Sequence, residues 1–95
     1  MLQVAIIGSG PSGCYLADAL ARQCPESKID VFDRLPTPFG LVRYGVAPDH
    51  QRTKQIERQL ASVFNRENVT FVGNIEIGRD ISVDELQQHY DLVIL

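Results

Sequence analysis

Tryptophan is absent from this 95-residue chain, cysteine occurs only twice, and no apolar run reaches the length of a membrane span. A helix needs roughly twenty consecutive apolar residues to cross a bilayer, and the apolar runs here are of strand length. A basic excess is also lacking: nine Lys and Arg stand against twelve Asp and Glu, a net charge of −3. Nucleic acid is therefore not an expected partner, because neutralising phosphates takes a basic face. Two cysteines make no disulfide framework. Cys14 and Cys24 fall on one predicted helix, about 15 Å apart at the helical rise, which is too far to bridge. They read as two small buried or half-buried residues in a reducing compartment. The opening residues form neither a signal nor a transit peptide, so a cytoplasmic location without membrane association is expected.

What remains is the composition of an ordinary soluble domain, 44% hydrophobic and 22% charged. The order of its elements specifies an α/β fold. Leu2 to Ile7 is a short apolar run bounded by glycine and predicts a buried strand. Gly13, Ala17, Leu20, Ala21 and Cys24 then recur at helical spacing, and Pro25 closes that helix. Lys28 to Phe32 predicts a second strand ending on Asp33, so the unit has the size of a βαβ crossover. Further on, Ile56, Leu60, Val63 and Phe64 mark one face of an amphipathic helix between Gln51 and about Asn65. Val69 to Val72 predicts a third strand and Ile75 to Ile77 a short fourth. Ser82 with Glu85 forms a capping-box pattern for a brief helix through His89, and Asp91 to Leu95 reads as a last apolar strand. The expectation is a Rossmann-like domain with a largely parallel sheet.

The chemistry starts at Gly8-Ser9-Gly10-Pro11-Ser12-Gly13, a GxGxxG. Such loops are common, and the pattern gains weight only from its surroundings. Here a strand precedes it, a helix follows it, and Asp33 ends the next strand twenty residues past the third glycine. That is the separation expected of a ribose acceptor. Gly8 lets the chain turn off the strand, Gly10 lacks the Cβ that would hold a pyrophosphate away, and Gly13 allows helix and strand to touch. The helix start offers unpaired N–H groups and a positive dipole end. Asp33 can accept from both ribose hydroxyls and repels a 2′-phosphate, so this site should take FAD or NAD and not NADP. Between FAD and NAD the motif itself is silent.

The long segment from Leu35 to His50 separates them. Three prolines and two glycines leave it no period, yet Leu35, Phe39, Leu41, Val42, Tyr44 and Val46 make it too apolar for a solvated linker, so an ordered loop is expected. Within it, Pro38-Phe39-Gly40-Leu41-Val42-Arg43-Tyr44-Gly45-Val46-Ala47-Pro48-Asp49-His50 strongly resembles the adrenodoxin reductase-like ferredoxin–NADP⁺ reductases. The resemblance continues through Lys54, Phe71-x-Gly73-Asn74 and Ile77-Gly78-Arg79-Asp80, and covers essentially the whole chain in order.

By that resemblance the cofactor here is FAD. Gly8, Gly10, Ser12 and Gly13 would hold it at the glycine loop and Asp33 at the ribose; Leu41 would run along it, His50 would lie near the flavin pocket, and Ile77 near the adenine end. Residue composition alone reads His50 equally well as an exposed residue behind an Asp49 N-cap. The family usually has Glu at the position of Asp33, and often Ala at that of Ser12. The implied reaction passes a hydride from NADPH to FAD and single electrons on to a ferredoxin-type iron–sulfur protein. Arg43, Arg52, Lys54 and Arg58 could steer such an acidic partner, or could be a solvated helix face.

NADPH would bind at a site outside this segment, and no catalytic or metal-ligating residue is expected within it. The resemblance makes residues 1–95 the N-terminal part of an FAD-binding domain, inactive as a reductase alone. An apolar final strand ending at Leu95 fits a truncated domain whose exposed edge could self-associate. Two other readings remain: the FAD domain of another two-dinucleotide flavoprotein, and a non-catalytic nucleotide-binding module.

Overall fold

The computed structural model describes residues 1–36, 58 and 61–95. Four strands form one parallel sheet in the order β3-β2-β1-β4, with β1 at Gln3–Ile7, β2 at Lys28–Phe32, β3 at Val69–Val72 and β4 at Leu92–Ile94. Helix α1 (Pro11–Gln23) joins β1 to β2, and helix α2 (Val83–His89) joins β3 to β4. A 3₁₀ turn at Ser62–Asn65 leads into β3. The expected α/β class and the parallel sheet are both present.

Side-chain alternation along the strands supplies two cores. Val4 and Ile6 of β1 share a face with Ile29 and Val31 of β2 and with Val69 of β3, all buried. Ala17 and Ala21 of α1 close over that face, with Val63 from the 3₁₀ turn beside them. The opposite residues, Ala5 and Phe32, meet Leu86 of α2 on the other face. Asp30 is the polar exception on that side. The Tyr90 hydroxyl donates to its Oδ2 at 2.6 Å, and the Tyr90 ring stands edge-on to Phe32 at 6.0 Å. Burial, with the Asp30 carboxylate second, pushes the Tyr90 phenol well above its ordinary range.

The capping box appears in both halves: Ser82 Oγ accepts from the Glu85 N–H, and Glu85 Oε1 accepts from the Ser82 N–H. The expected strand at Ile75–Ile77 does not form. Asn74 turns the chain with φ +60° and Gly78 with φ +98°, so the segment between them has no run over which to pair. It makes one isolated bridge, Ile77 with Ile81, and spends its nearest N–H groups on the β2 exit. Cys14 is buried as expected, but Cys24 is exposed, because it lies past the last helical residue where the chain turns away. Most of the expected helix from Gln51 lies outside the described residues; its final turn is the 3₁₀ turn.

Helix α1 sits hard against the exit of β1. A Cβ built on Gly13 would overlap the carbonyl oxygen of Gly8 and come within 3.5 Å of Ile6 Cγ2. Two effects then compete in Gly13→Ala. Alanine gains about 1 kcal/mol in helix propensity. The overlap is with backbone, which cannot swing aside, and overpacking of this kind costs about 1–3 kcal/mol. The second effect should win, so Gly13→Ala is expected to lower the urea midpoint. A midpoint at or above that of the unaltered chain would contradict the close approach.

Candidate functional site

Parallel register brings the site together. Ile7 pairs with Phe32 and Phe32 with Val72, so residues 8, 33 and 73 leave the sheet side by side. The ladder runs one step further into the loops: the Gly8 N–H donates to the Phe32 carbonyl at 2.7 Å and the Asp33 N–H to the Val72 carbonyl at 3.1 Å. A cavity of about 700 Å³ opens there, at the carboxyl ends of the strands. Three stretches far apart in sequence line it: Ile7, Gly8 and Gly10; Phe32 to Leu35; and Ile75 to Ile77.

The two turning glycines have different reasons to be glycine. Gly8 has φ +103°, where a side chain is strained. Gly10 has φ −69° and ψ 178°, a backbone open to any residue, and no atom among the described residues lies within 4 Å of a Cβ placed on it. Among the described residues nothing asks for glycine at position 10. A ligand that must approach that backbone closely would ask for it.

Gly10 is also the N-cap of α1, and no side chain caps the helix. Pro11 occupies its first position, where a missing N–H costs nothing. The first turn itself carries no acidic residue to offset its positive end. Ser12 lies in that turn and is exposed.

Asp33 is held from two sides. Its Oδ2 accepts from the Ser9 N–H at 2.8 Å and from the Ser9 hydroxyl at 2.5 Å; its Oδ1 accepts from the Leu35 N–H at 3.0 Å. Partial burial alone would raise the carboxyl pKa, but these bonds outweigh it and hold the group below its ordinary value. The Arg34 N–H adds to this hold, and the two Ser9 donors by themselves fill the acceptor positions of Oδ2. Cys14 lies beneath, its Sγ 3.4 Å from the Ser9 carbonyl; burial first, and the Asp33 charge second, push the thiol to about 11. It stays protonated and unreactive at neutral pH.

The far wall is a strap from Gly73 to Ile77. The Asn74 N–H donates to the Leu35 carbonyl at 3.1 Å and the Ile75 N–H to the Asp33 carbonyl at 3.0 Å. A Cβ on Gly73 would come within 2.9 Å of the Leu35 carbonyl oxygen and 3.1 Å of that of Pro36. Asp80 folds the strap's end back by accepting from the Glu76 N–H at 2.8 Å. Ile77 and Asp33 thus line the same cavity. Leu41, His50, Arg43, Arg52 and Lys54 lie outside the described residues. Ser9 was not among the expected site residues. Its signal was a hydroxyl set between two glycines at the end of a buried strand, where a polar side chain needs a partner.

A strand, a glycine turn, a helix and an acid at the next strand's end are the parts of a dinucleotide site, and a family model for the NAD(P)-binding Rossmann-like domain matches residues 6–68. The chain belongs to that family. It is also similar to cindoxin reductase of Citrobacter braakii, 54% identical over 92 residues, which are 97% of this chain and 20% of that protein. Against the mitochondrial NADPH:adrenodoxin oxidoreductase of Arabidopsis thaliana the identity is 48% over 94 residues, 99% of this chain and 20% of that one. Among solved structures, FprA, a Mycobacterium tuberculosis oxidoreductase, superposes with a TM-score of 0.89 at 38% identity, over 98% of this chain and 22% of its own. FprA has also been solved in complex with NADPH. The chain thus spans about a fifth of the length of these relatives.

The Rossmann-like site carries a pH dependence whose sign follows from Asp33. A carboxyl held below its unfolded value stabilises the fold above that value, and the contribution is lost as pH falls through the lowered one. In Asp33→Asn the amide cannot accept all three donors. The variant should melt below the unaltered chain at neutral pH, and the gap should shrink as pH drops from about 5 to 3. A gap independent of pH would show that the ionised form is not what Ser9 and Leu35 hold.

Proposed function

We propose that this chain is the adenosine-diphosphate half of an FAD site in a reductase that carries electrons from NADPH to a ferredoxin- or adrenodoxin-type iron–sulfur protein. The observation that carries it is the glycine at position 10, which no described atom requires, set beside a helix start with no acid in its first turn and an ionised acid in one cavity. Those are the demands of a pyrophosphate and a ribose. The family model is coarser, since NAD(P) and FAD share this half of the molecule. An acid that repels a 2′-phosphate speaks against NADP here, and the Pro38–His50 resemblance, with relatives named as NADPH:adrenodoxin oxidoreductase, favours FAD. NADPH then binds elsewhere in the protein.

On this reading the residues divide the work plainly. The Ser12 and Gly13 N–H groups at the start of α1 face the pyrophosphate, with Gly10 giving it room. Asp33 orients the ribose, and Ile77 with Leu35 walls the adenine end. Through the family resemblance Leu41 is assigned a place along the cofactor and His50 one near the flavin pocket. When bound, the flavin accepts a hydride and releases single electrons, and this segment supplies its anchorage and position.

The 95-residue chain is expected to bind FAD, seen as a quenched flavin fluorescence that ADP reverses, and to show no NADPH-dependent ferricyanide reduction. Failure to bind either FAD or ADP would overturn the assignment of the site. Reduction of ferricyanide at a rate above free flavin would overturn the division of labour.

A further inference from the structure

Ser9 is fully buried between two glycines that line the cavity. Both of its donors converge on one atom 24 residues away: the N–H at 2.8 Å and the hydroxyl at 2.5 Å from Asp33 Oδ2. The Leu35 N–H takes one position on Oδ1. A carboxylate has about two acceptor positions on each oxygen, so the two Ser9 donors fill Oδ2 and a ribose hydroxyl has to be met through Oδ1. We infer that Ser9 is a positioning and specificity-determining residue of the ribose subsite, clamping Oδ2 so that Asp33 meets the ribose through Oδ1 as a single, fixed acceptor.

The clamp does two things for the site, and both rest on the proposed dinucleotide reading. A side chain held at three points loses no rotamer freedom when the ribose arrives, so the hydroxyl bond comes without that cost. A carboxylate that cannot turn away also keeps its charge towards whatever sits on the ribose, which sharpens discrimination against a 2′-phosphate. The family's usual Glu is one methylene longer, whereas Asp33 is short enough to be tied back to the glycine turn. Ser9 supplies in the turn the rigidity that fixes where this shorter acid points.

The test deletes the hydroxyl on each side. Affinities of the 95-residue chain and of Ser9→Ala are measured for ADP, 2′-deoxy-ADP, 3′-deoxy-ADP and 2′,5′-ADP. One of the two deoxy compounds should bind the unaltered chain roughly five- to tenfold more weakly than ADP, the usual weight of a bond to a charged group. In Ser9→Ala that ratio should fall towards one, the deoxy compound's own affinity should barely move, and 2′,5′-ADP should be rejected less strongly. A loss shared equally by all four compounds would mark Ser9 as merely structural and overturn the inference while leaving the site intact. Absence of ADP binding to the unaltered chain would overturn the site and the inference together. A measurement on the unaltered chain guards against a variant that does not fold: the Asp33 carboxyl, followed by ¹³C NMR, should titrate below the ordinary carboxylate range, and an ordinary midpoint would overturn the clamp. In folded Ser9→Ala the midpoint should rise.

Discussion

Helix α1 can approach the end of β1 as closely as it does only because Gly13 has no side chain, and the site is built on that contact. The carbonyl of Gly8 occupies the space that a Cβ at position 13 would need. With the helix pressed there, the connection between strand and helix shrinks to Gly8, Ser9 and Gly10, and its first residue must adopt a positive φ. A tight turn holds Ser9 near the next strand's exit, where it reaches Asp33. It also aims the start of the helix across the strand ends. A helix standing one side chain further out would leave the turn longer and both alignments looser.

Parallel pairing converts this local arrangement into a cavity. In an antiparallel sheet, neighbouring strands would deliver their exits to opposite edges. Here β1, β2 and β3 all end at the same level, and the ladder bonds of Gly8 and Asp33 carry that level into the loops. The Gly73–Ile77 strap is then bonded to the β2 exit through Asn74 and Ile75. Each wall of the cavity is thus braced by backbone hydrogen bonds to the next, and Asp33 participates in both junctions, by its side chain towards the glycine turn and by its backbone towards the strap.

Sequence patterns of short range carried over well into three dimensions. The strands at Lys28–Phe32 and Val69–Val72 kept their expected bounds, and the Ser82–Glu85 box formed as written, because alternation and capping are decided by residues two to four apart. The segment Ile75–Ile77 looked like a strand for the same reason and is not one, since its fate depends on Asn74 and Gly78 bending the chain and on partners forty residues earlier. Ser9 stayed hidden for a related cause. A serine between glycines is unremarkable until the register of two strands sets it against Asp33, and no spacing within the motif encodes that register.

Asp33 decides less about the cofactor than its position suggests, and the geometry says where the rest must come from. An acid at the end of β2 separates a free ribose from a 2′-phosphorylated one, but FAD and NAD present the same adenosine there. On the dinucleotide reading, the walls formed by Gly10, Asp33 and Ile77 would meet only that shared half. Whatever distinguishes flavin from nicotinamide has to act at the far end of the pyrophosphate, beyond the start of α1. On the flavin reading, that is the work of the Pro38–His50 stretch. On that reading the two parts of the sequence answer different questions: the glycine turn and its acid would select a dinucleotide without a 2′-phosphate, and the loop its other half.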